Sequence, residues 1–422
     1  MELRLMKLVD STRIKLGLEN YYLKTYNLHR KVNIFNETVY SFCMEWYPNH
    51  ITEQDDEDYN PEGTAVIEID VNSGRYNSVI FVGGKSFTNR NTFDTLNKNS
   101  LIKWIENETG LVYAKQFQLS KEELGELYFK ECIDGIEVIP SGSIDLRFDQ
   151  EGKLTFFSVY GHFPSKELVN EEIFSLSLNL LEHFAMEQFK LIEIPLDEEK
   201  NLIPVFAIEE VFITNDQKST IPFEFIVDER SYVKINKIIC WEKQNNKPFE
   251  RKDFSLTENI TAKQAFTNEP HPDSLPITWF EQEKCIEAVE NFLSQVYKND
   301  SSKWVIKTLH RNNGSIYVTL RLNNQNRCVF QRKLLIMIDK NFRAFNYMDN
   351  KTFIDIFNQY KVNENRSIHK EEAFKKVREL IVLTPYYVYD VKQKQFVLCG
   401  KLDSRYCVNA STGEVNLLND YF

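Results

Sequence analysis

The sequence predicts an α+β protein: helices packed on small antiparallel β-sheets, repeated in tandem through two lobes. Three observations predict it. Two strand-like alternating runs around an acidic turn recur five times within 422 residues. Two of the intervals between those turns are equal. Amphipathic stretches of helical period precede several of the hairpins. A hairpin is barely stable alone, and a helix laid over one face of a small sheet supplies the missing burial.

The first hairpin reads AVIEIDVNSGRYNSVIFV over 65–82. Ile67 and Ile69 alternate with Glu68 and Asp70, which buries one strand face and wets the other. Asp70 ends the strand, where its side chain can bond the turn backbone, and Gly74 supplies the positive φ that closes the loop. The second hairpin, SIDLRFDQEGKLTFFSVYG at 143–161, uses Asp149 and Gly152 in the same way. A helix is expected over 170–189, where Ile173, Leu176, Leu180 and Phe184 form one stripe, with Ser165 or Asn170 as its N-cap. The third hairpin, FEFIVDERSYVKINKIICW at 223–241, turns at Asp228 without a glycine, so a residue such as Arg230 must take the strain. Asp149 lies 79 residues after Asp70, and Asp228 another 79 after Asp149. Unrelated hairpins would not be spaced so evenly.

Residues 244–276 break the rhythm. They are polar and carry Pro248, Pro270, Pro272 and Pro276. They read as a linker between an N-terminal lobe, 1–243, of about three repeats and a C-terminal lobe, 277–422, of two. Ser255 and Glu258 have the spacing of a short helix cap within it. The next helix, 279–297, stripes Cys285, Val289, Phe292 and Val296. LLIMIDKNFRAFNYMD at 334–349 turns at Asp339, again without glycine, leaving a residue such as Asn341 to tolerate the turn. A third helix is expected over 367–383, capped by Ser367, with Phe374, Val377 and Ile381 on its apolar face. RYCVNASTGEVNLLN at 405–419 closes the series, with Asn409 in the place of Asp and Gly413 at the loop. All five turn positions read as structural, because turn chemistry accounts for them.

Composition narrows the function. Lys and Arg total 51 against 62 Asp and Glu, a net charge of −11, which repels a phosphate backbone and argues against nucleic-acid binding. Hydrophobic residues at 42% fit a globular chain. No stretch approaches the ~18 apolar residues of a membrane span, and charges interrupt the N-terminus, so a cytoplasmic protein is expected. Seven cysteines without a C-x-x-C pair read as reduced, packed thiols.

Motifs of catalysis are tested and fail. Val79 to Ser86 ends in Gly-Gly-Lys-Ser, but Val79 stands where a phosphate loop needs its first glycine. The acidic run Asp55 to Asn60 meets Pro61 and Ile67 where a calcium loop needs Gly and Glu. The seven histidines form no H-E-x-x-H, and no G-x-S-x-G is present. Cys285 or Cys328 could meet His310 in space, although buried cysteine is usually inert packing. Glu209-Glu210 and Glu122-Glu123 would face opposite ways on strands. No catalytic, metal-binding or cofactor-binding residue is expected, and no enzyme. Aromatic residues make up 13%, and three runs stand out: Trp46-Tyr47, Trp279-Phe280 and Tyr386-Tyr-Val-Tyr389. In a strand Tyr387 and Tyr389 share one face and Tyr386 takes the other. At least one of Tyr386, Tyr387 and Tyr389 is therefore expected to be exposed to a partner.

The last segment, Val408-Asn-Ala-Ser-Thr-Gly-Glu-Val415, resembles the terminal D-A-x-T-G-E-V hairpin of PepSY-type modules, with Asn409 at the Asp position. Leu383 to Tyr389 and Phe396 to Leu398 resemble the strands of that module. Repetition of such units is similar to the YcdB/YcdC repeated-domain family, best over 277–422 and traceable over 65–243. The resemblance implies a helix-on-sheet fold and no enzyme. PepSY modules of protease propeptides are associated with inhibition. The leading expectation is thus a non-enzymatic protein- or peptide-binding regulator, and the PepSY resemblance implies a protease as the kind of target. The alternatives are a hydrolase with a site between the lobes, or a structural assembly component without ligand.

Overall fold

The computed structural model describes residues 1–51, 59–90, 92–94, 97–222, 232–252, 258–323, 331–357, 359–362 and 365–421. Helices and groups of strands alternate along it. α1 (Leu3–Leu16) precedes β1 (Tyr21–Val32), β2 (Thr38–Pro48), β3 (Ala65–Asp70) and β4 (Tyr76–Phe81). α2 (Lys98–Thr109) precedes β5 (Phe117–Glu123), β6 (Glu126–Ile133), β7 (Ile136–Ile139), β8 (Ser143–Phe148) and β9 (Leu154–Tyr160). α3 (Leu178–Gln188) leads into β10 (Phe189–Leu196), β11 (Asn201–Ile208), β12 (Val211–Thr214), β13 (Thr220–Pro222) and β14 (Tyr232–Ile239). After α4 (Ala262–Thr267), α5 (Trp279–Val296) is followed by β15 (Trp304–Asn312), β16 (Ser315–Leu322), β17 (Lys333–Ile338) and β18 (Ala344–Asp349). α6 (Lys351–Phe357) and β19 (Lys361–Val362) come next. α7 (Lys370–Val377) then opens the last group, β20 (Val382–Asp390), β21 (Gln395–Asp403), β22 (Tyr406–Asn409) and β23 (Val415–Leu417). The fold is α+β with antiparallel sheets, as the sequence predicts.

The chain gathers into two compact units. The first comprises Met1–Glu171, Thr257–His271 and Tyr386–Val397; the second comprises Glu172–Leu256, Pro272–Pro385 and Leu398–Phe422. The stretch read as a linker is thus shared between them, and Ala265 of α4 is fully buried in the core of the first.

In the first unit the strands run in the order β1-β2-β3-β4-β9-β8-β6-β7, with β5 beside β6. The hairpins turning at Asp70 and Asp149 meet in the middle, where Val79 of β4 faces Phe157 of β9. Leu5, Leu16, Leu101 and Ile105 of α1 and α2 pack with Phe42, Ile67, Phe129 and Phe157 of the sheet. The period-2 alternation of β3 is what delivers Ile67 and Ile69 to that core.

Ion pairs hold α4 in place. Arg30 of β1, its side chain 6% exposed, donates to both oxygens of Glu258 and lies 3.9 Å from Glu269. The Tyr40 hydroxyl donates to the Glu269 carbonyl at 2.7 Å, and the His271 N–H donates to Thr38 Oγ1 at 2.7 Å. Arg30 holds the Glu258 carboxyl below its ordinary range. That contribution is present above the ordinary carboxylate pKa and is lost as pH falls through the lowered one. Arg30→Ala is expected to cost the α4 segment about 1–2 kcal/mol, discounted because Glu258 is half exposed. Faster amide exchange at Ala265 to Thr267, with β8 and β9 unchanged, would be the signature.

Two five-stranded sheets lie in the second unit, which also contains the paired strands β12 and β13. α5 lies on β14-β15-β16-β17-β18, where Cys285, Val289 and Phe292 meet Trp304, Val318 and Ile336. α3 and α7 serve β10-β11-β22-β23 through Leu181, Ala185, Phe374 and Val377. Two expected helices are shorter than their patterns. Residues 170–177 are not helical. The Asn215 side chain accepts from the Ser175 N–H (3.0 Å) and donates to the Ile173 carbonyl (2.9 Å) and the Glu172 carboxylate (2.9 Å), which keeps that stretch out of the helix. Ile173 is consequently 90% exposed, and Leu181 and Ala185 replace the expected stripe. Ser177, not Ser165 or Asn170, occupies the N-cap position. α7 stops at Val377 with His369 rather than Ser367 before it, and Ile381 leads into β20. The β-branched and Pro385-containing run beyond favours a strand.

Candidate functional site

The turn positions share one mechanism. Oδ1 of Asp70 accepts from the N–H groups of Asn72 and Ser73 at 3.1 and 2.7 Å. Asp149 accepts from Glu151 and Lys153, both at 2.9 Å, and Asp339 from Asn341 and Arg343 at 2.9 and 3.0 Å. Asn409 does the same with Ser411 and Thr412 at 2.9 and 3.1 Å, because an amide oxygen accepts as a carboxylate does. Gly74, Gly152 and Gly413 take positive φ; in the glycine-free Asp339 turn it is Phe342, not Asn341, that does so, at 57°. Asp228 and Arg230 lie outside the described residues.

The exposure expected of the tyrosine run is not found. Tyr387 and Tyr389 are buried, 4% and 9% exposed, and Tyr386 is half-buried with its hydroxyl donating to Glu137 at 3.2 Å. Tyr387 and Val388 pair with Val138 and Ile139 of β7, and the rings of Phe35 and Phe396 pack on Tyr389. Alternation sends side chains to both faces of a sheet, and here ring packing on one side and the Glu137 contact on the other leave neither face open.

The aromatic pair that does reach water is Trp279-Phe280, 75% and 59% exposed at the start of α5. Its mounting is rigid. Thr278 and Glu281 form a capping box. Arg311 of β15 donates to both Glu281 oxygens, at 2.7 and 2.8 Å, and to the carbonyls of Leu275 and Pro276. Asp273 accepts from the Asn313 and Gly314 N–H groups of the β15–β16 turn at 2.6 and 2.8 Å. Burial raises the Glu281 carboxyl, and the Arg311 and Thr278 hydrogen bonds outweigh it and hold it below its ordinary range. Phe280 packs edge-on against Phe342, and Leu275 is exposed as well. The helical stripe placed Cys285, Val289 and Phe292 inside; Trp279 and Phe280 fall off that stripe, which was the available signal. A second apolar surface lies at Met348, Phe353 and Ile356, all exposed, where α6 buries none of its side chains.

A polar cleft of about 400 Å³ in the first unit is lined by Asn20, Asn49, His50, Ser86, Thr88 and Lys153, among others. It lies beside the segment that resembled a phosphate loop. There Val82–Gly84 makes a single 3-10 turn and residues 85–90 are not helical, so this segment itself offers the cleft no helix N-terminus. Thr88 Oγ1 donates to the Arg90 carbonyl and stands 2.8 Å from Ser86 Oγ, so the Ser86 proton goes to Thr88 rather than to a base. Burial pushes the thiols of Cys43 and Cys407 up to about 11 and that of Cys285 up to about 12, which keeps them protonated. Cys328 lies outside the described residues. Among the described residues no group of three or more His, Cys, Asp or Glu side chains is placed to hold a metal ion, and no helix is long and apolar enough to cross a membrane.

No family model matches the chain, and no curated protein matches it. Among solved structures it is similar to the Bacillus megaterium YpeB C-terminal domain, at 12% identity over 51% of this chain and 96% of that one. The TM-score is 0.23, too low for fold or function to be carried across.

Proposed function

We propose that this chain is a protein- or peptide-binding regulator rather than an enzyme, built from tandem PepSY-like modules of the YcdB/YcdC type. In its finer form the reading takes a protease as the target. One observation carries the reading: an exposed Trp-Phe pair on a helix start pinned by Arg311 and Asp273. Rigid, exposed aromatic side chains anchor partners at little entropic cost. The recurring order of a helix and then four strands, in 3–81, 279–349 and 370–417, supports the modular part. The sheet edge at β14 is a poorer docking place, since a bulge between Lys234 and Lys237 and those two exposed lysines blunt it. The cleft hydroxyls, bonded to each other, argue against a hydrolase.

The double change Trp279→Ser with Phe280→Ser tests this. Both residues are exposed, so stability should move by no more than about 0.5 kcal/mol. Binding to a specific protein captured from the source cells should weaken by about 2 kcal/mol or more. The reading fails if wild type and variant capture the same proteins equally. Inhibition of a captured protease by wild type, and not by the variant, would establish the finer form.

A further inference from the structure

The outer edge of the second unit's α5 sheet is β18, and a short segment of the chain already bonds to it. The Lys252 N–H donates to the Phe345 carbonyl at 3.0 Å, and Asn346 Nδ2 donates back to the Lys252 carbonyl at 3.2 Å. Three residues earlier, the Phe249 ring enters between α5 and β18. It meets Phe292 edge-on at 4.8 Å and Tyr347 at 5.7 Å. Between them the Arg251 guanidinium lies over the outer part of this wall, 4.0 Å from the Tyr347 ring centroid. Glu250, Arg251 and Lys252 are otherwise exposed, and only Phe249 is half-buried.

These are elements of peptide recognition at a sheet edge: a main-chain bond to the edge strand, a side-chain amide on the segment's carbonyl, one aromatic anchor in a pocket, and a cation over a ring. We propose that the groove between α5 and β18 is a docking site for an extended partner segment with an aromatic residue followed two positions later by arginine, and that Phe249 to Lys252 fill it in cis as a tethered stand-in. The proposal rests on the binding-protein reading and concerns a place other than the Trp279-Phe280 face. A tethered segment competes at high effective concentration, so a partner gains the groove only by displacing it. One anchoring ring and one main-chain bond make that displacement feasible. Phe249 packs at the margin of a core whose fully buried members, such as Trp304 and Ile336, belong to α5 and the sheet.

The probe is a fluorescent peptide of the sequence Asn246-Lys-Pro-Phe-Glu-Arg-Lys252, titrated into the full chain. Phe249→Ala with Arg251→Ala in the chain empties the groove and is expected to tighten peptide binding about ten-fold over wild type. A peptide with alanine in place of its Phe should not bind, and Tyr347→Ala in the emptied chain should abolish binding. Equal affinity for both chains, or binding that survives loss of the peptide's Phe, would overturn the proposal. The wild-type chain gives a second readout that needs no variant: excess peptide should speed amide exchange at Lys252, and unchanged exchange there would also overturn it. Adding Trp279→Ser and Phe280→Ser to the emptied chain should leave peptide affinity within about two-fold, because the two places share no residue. Failure of the aromatic face to recruit a partner is thereby distinguishable from failure of the groove.

Discussion

Gly142→Ala is expected to destabilise the first unit by about 3 kcal/mol or more. A Cβ at this position would stand 2.3 Å from Glu131 Oε2, 2.6 Å from the Gly161 Cα and 2.6 Å from the Tyr160 carbonyl oxygen. Two of those three atoms are backbone, so no side chain can swing aside. The carboxylate itself is fully buried and is what draws the two segments together. Glu131 accepts from the N–H groups of Gly142 (2.8 Å), His162 (3.3 Å) and Phe163 (2.7 Å). It thereby staples the entry of β8 to the exit of β9. Glu131→Ala should be comparably harmful, because one buried and two part-buried N–H groups lose their acceptor. Glu131→Gln keeps one accepting oxygen and should cost less. A chain of two units need not unfold in one step, so amide exchange across β6, β8 and β9 is the appropriate measurement. Leu124→Ala, on a fully exposed turn, should change nothing. Loss of protection smaller for Gly142→Ala than for Leu124→Ala would refute the account.

In the second unit the comparable effect is expected at Asp349→Ala, about 3–5 kcal/mol. Arg332 donates to both carboxylate oxygens, at 2.9 and 3.3 Å, and the Tyr297 hydroxyl donates to Oδ2 at 2.5 Å. The two charged side chains are only 14% and 11% exposed. Arg332 also lies over the rings of Trp304 and Tyr297, at 5.1 and 5.5 Å from their centroids. Removing the carboxylate leaves a largely buried guanidinium without its anion, which costs more than the pair contributes. Burial raises the Asp349 carboxyl, and the hydrogen bonds from Arg332 and Tyr297 outweigh it, so its pKa is lowered. Burial and the Asp349 charge both raise the Tyr297 hydroxyl, which therefore stays protonated and donating at neutral pH. The sign of the pH dependence follows. A depressed carboxyl stabilises fully above its ordinary value near 3.8 and loses that contribution as pH falls through the lowered value. Urea midpoints followed from pH 5 to about pH 2 should show this loss in wild type and a flatter profile in Asp349→Asn.

Much of the local structure could be read from residues alone. The turns at Asp70, Asp149, Asp339 and Asn409 follow from a side-chain oxygen bonding the next few N–H groups, an interaction complete within five residues. α5 was legible because its stripe of Cys285, Val289, Phe292 and Val296 keeps helical spacing along the helix. What depends on distant partners was not. Asn215 stops α3 short from 40 residues away, and β7 and Phe35 bury the tyrosine run that looked like a contact surface. Trp279 and Phe280 drew notice only as an aromatic pair; their exposure depends on Arg311 and Asp273 clamping the strap that precedes them. Glu131 gave no signal at all, since a lone glutamate in an alternating strand looks solvated until the segments around Gly142 and His162 close over it. The sequence by itself determined the hairpins at Asp70, Asp149, Asp339 and Asn409, their turn chemistry and the α+β class, all of which rest largely on contacts between near neighbours. Tertiary structure decided which faces are buried, because burial belongs to pairs of segments and not to either one.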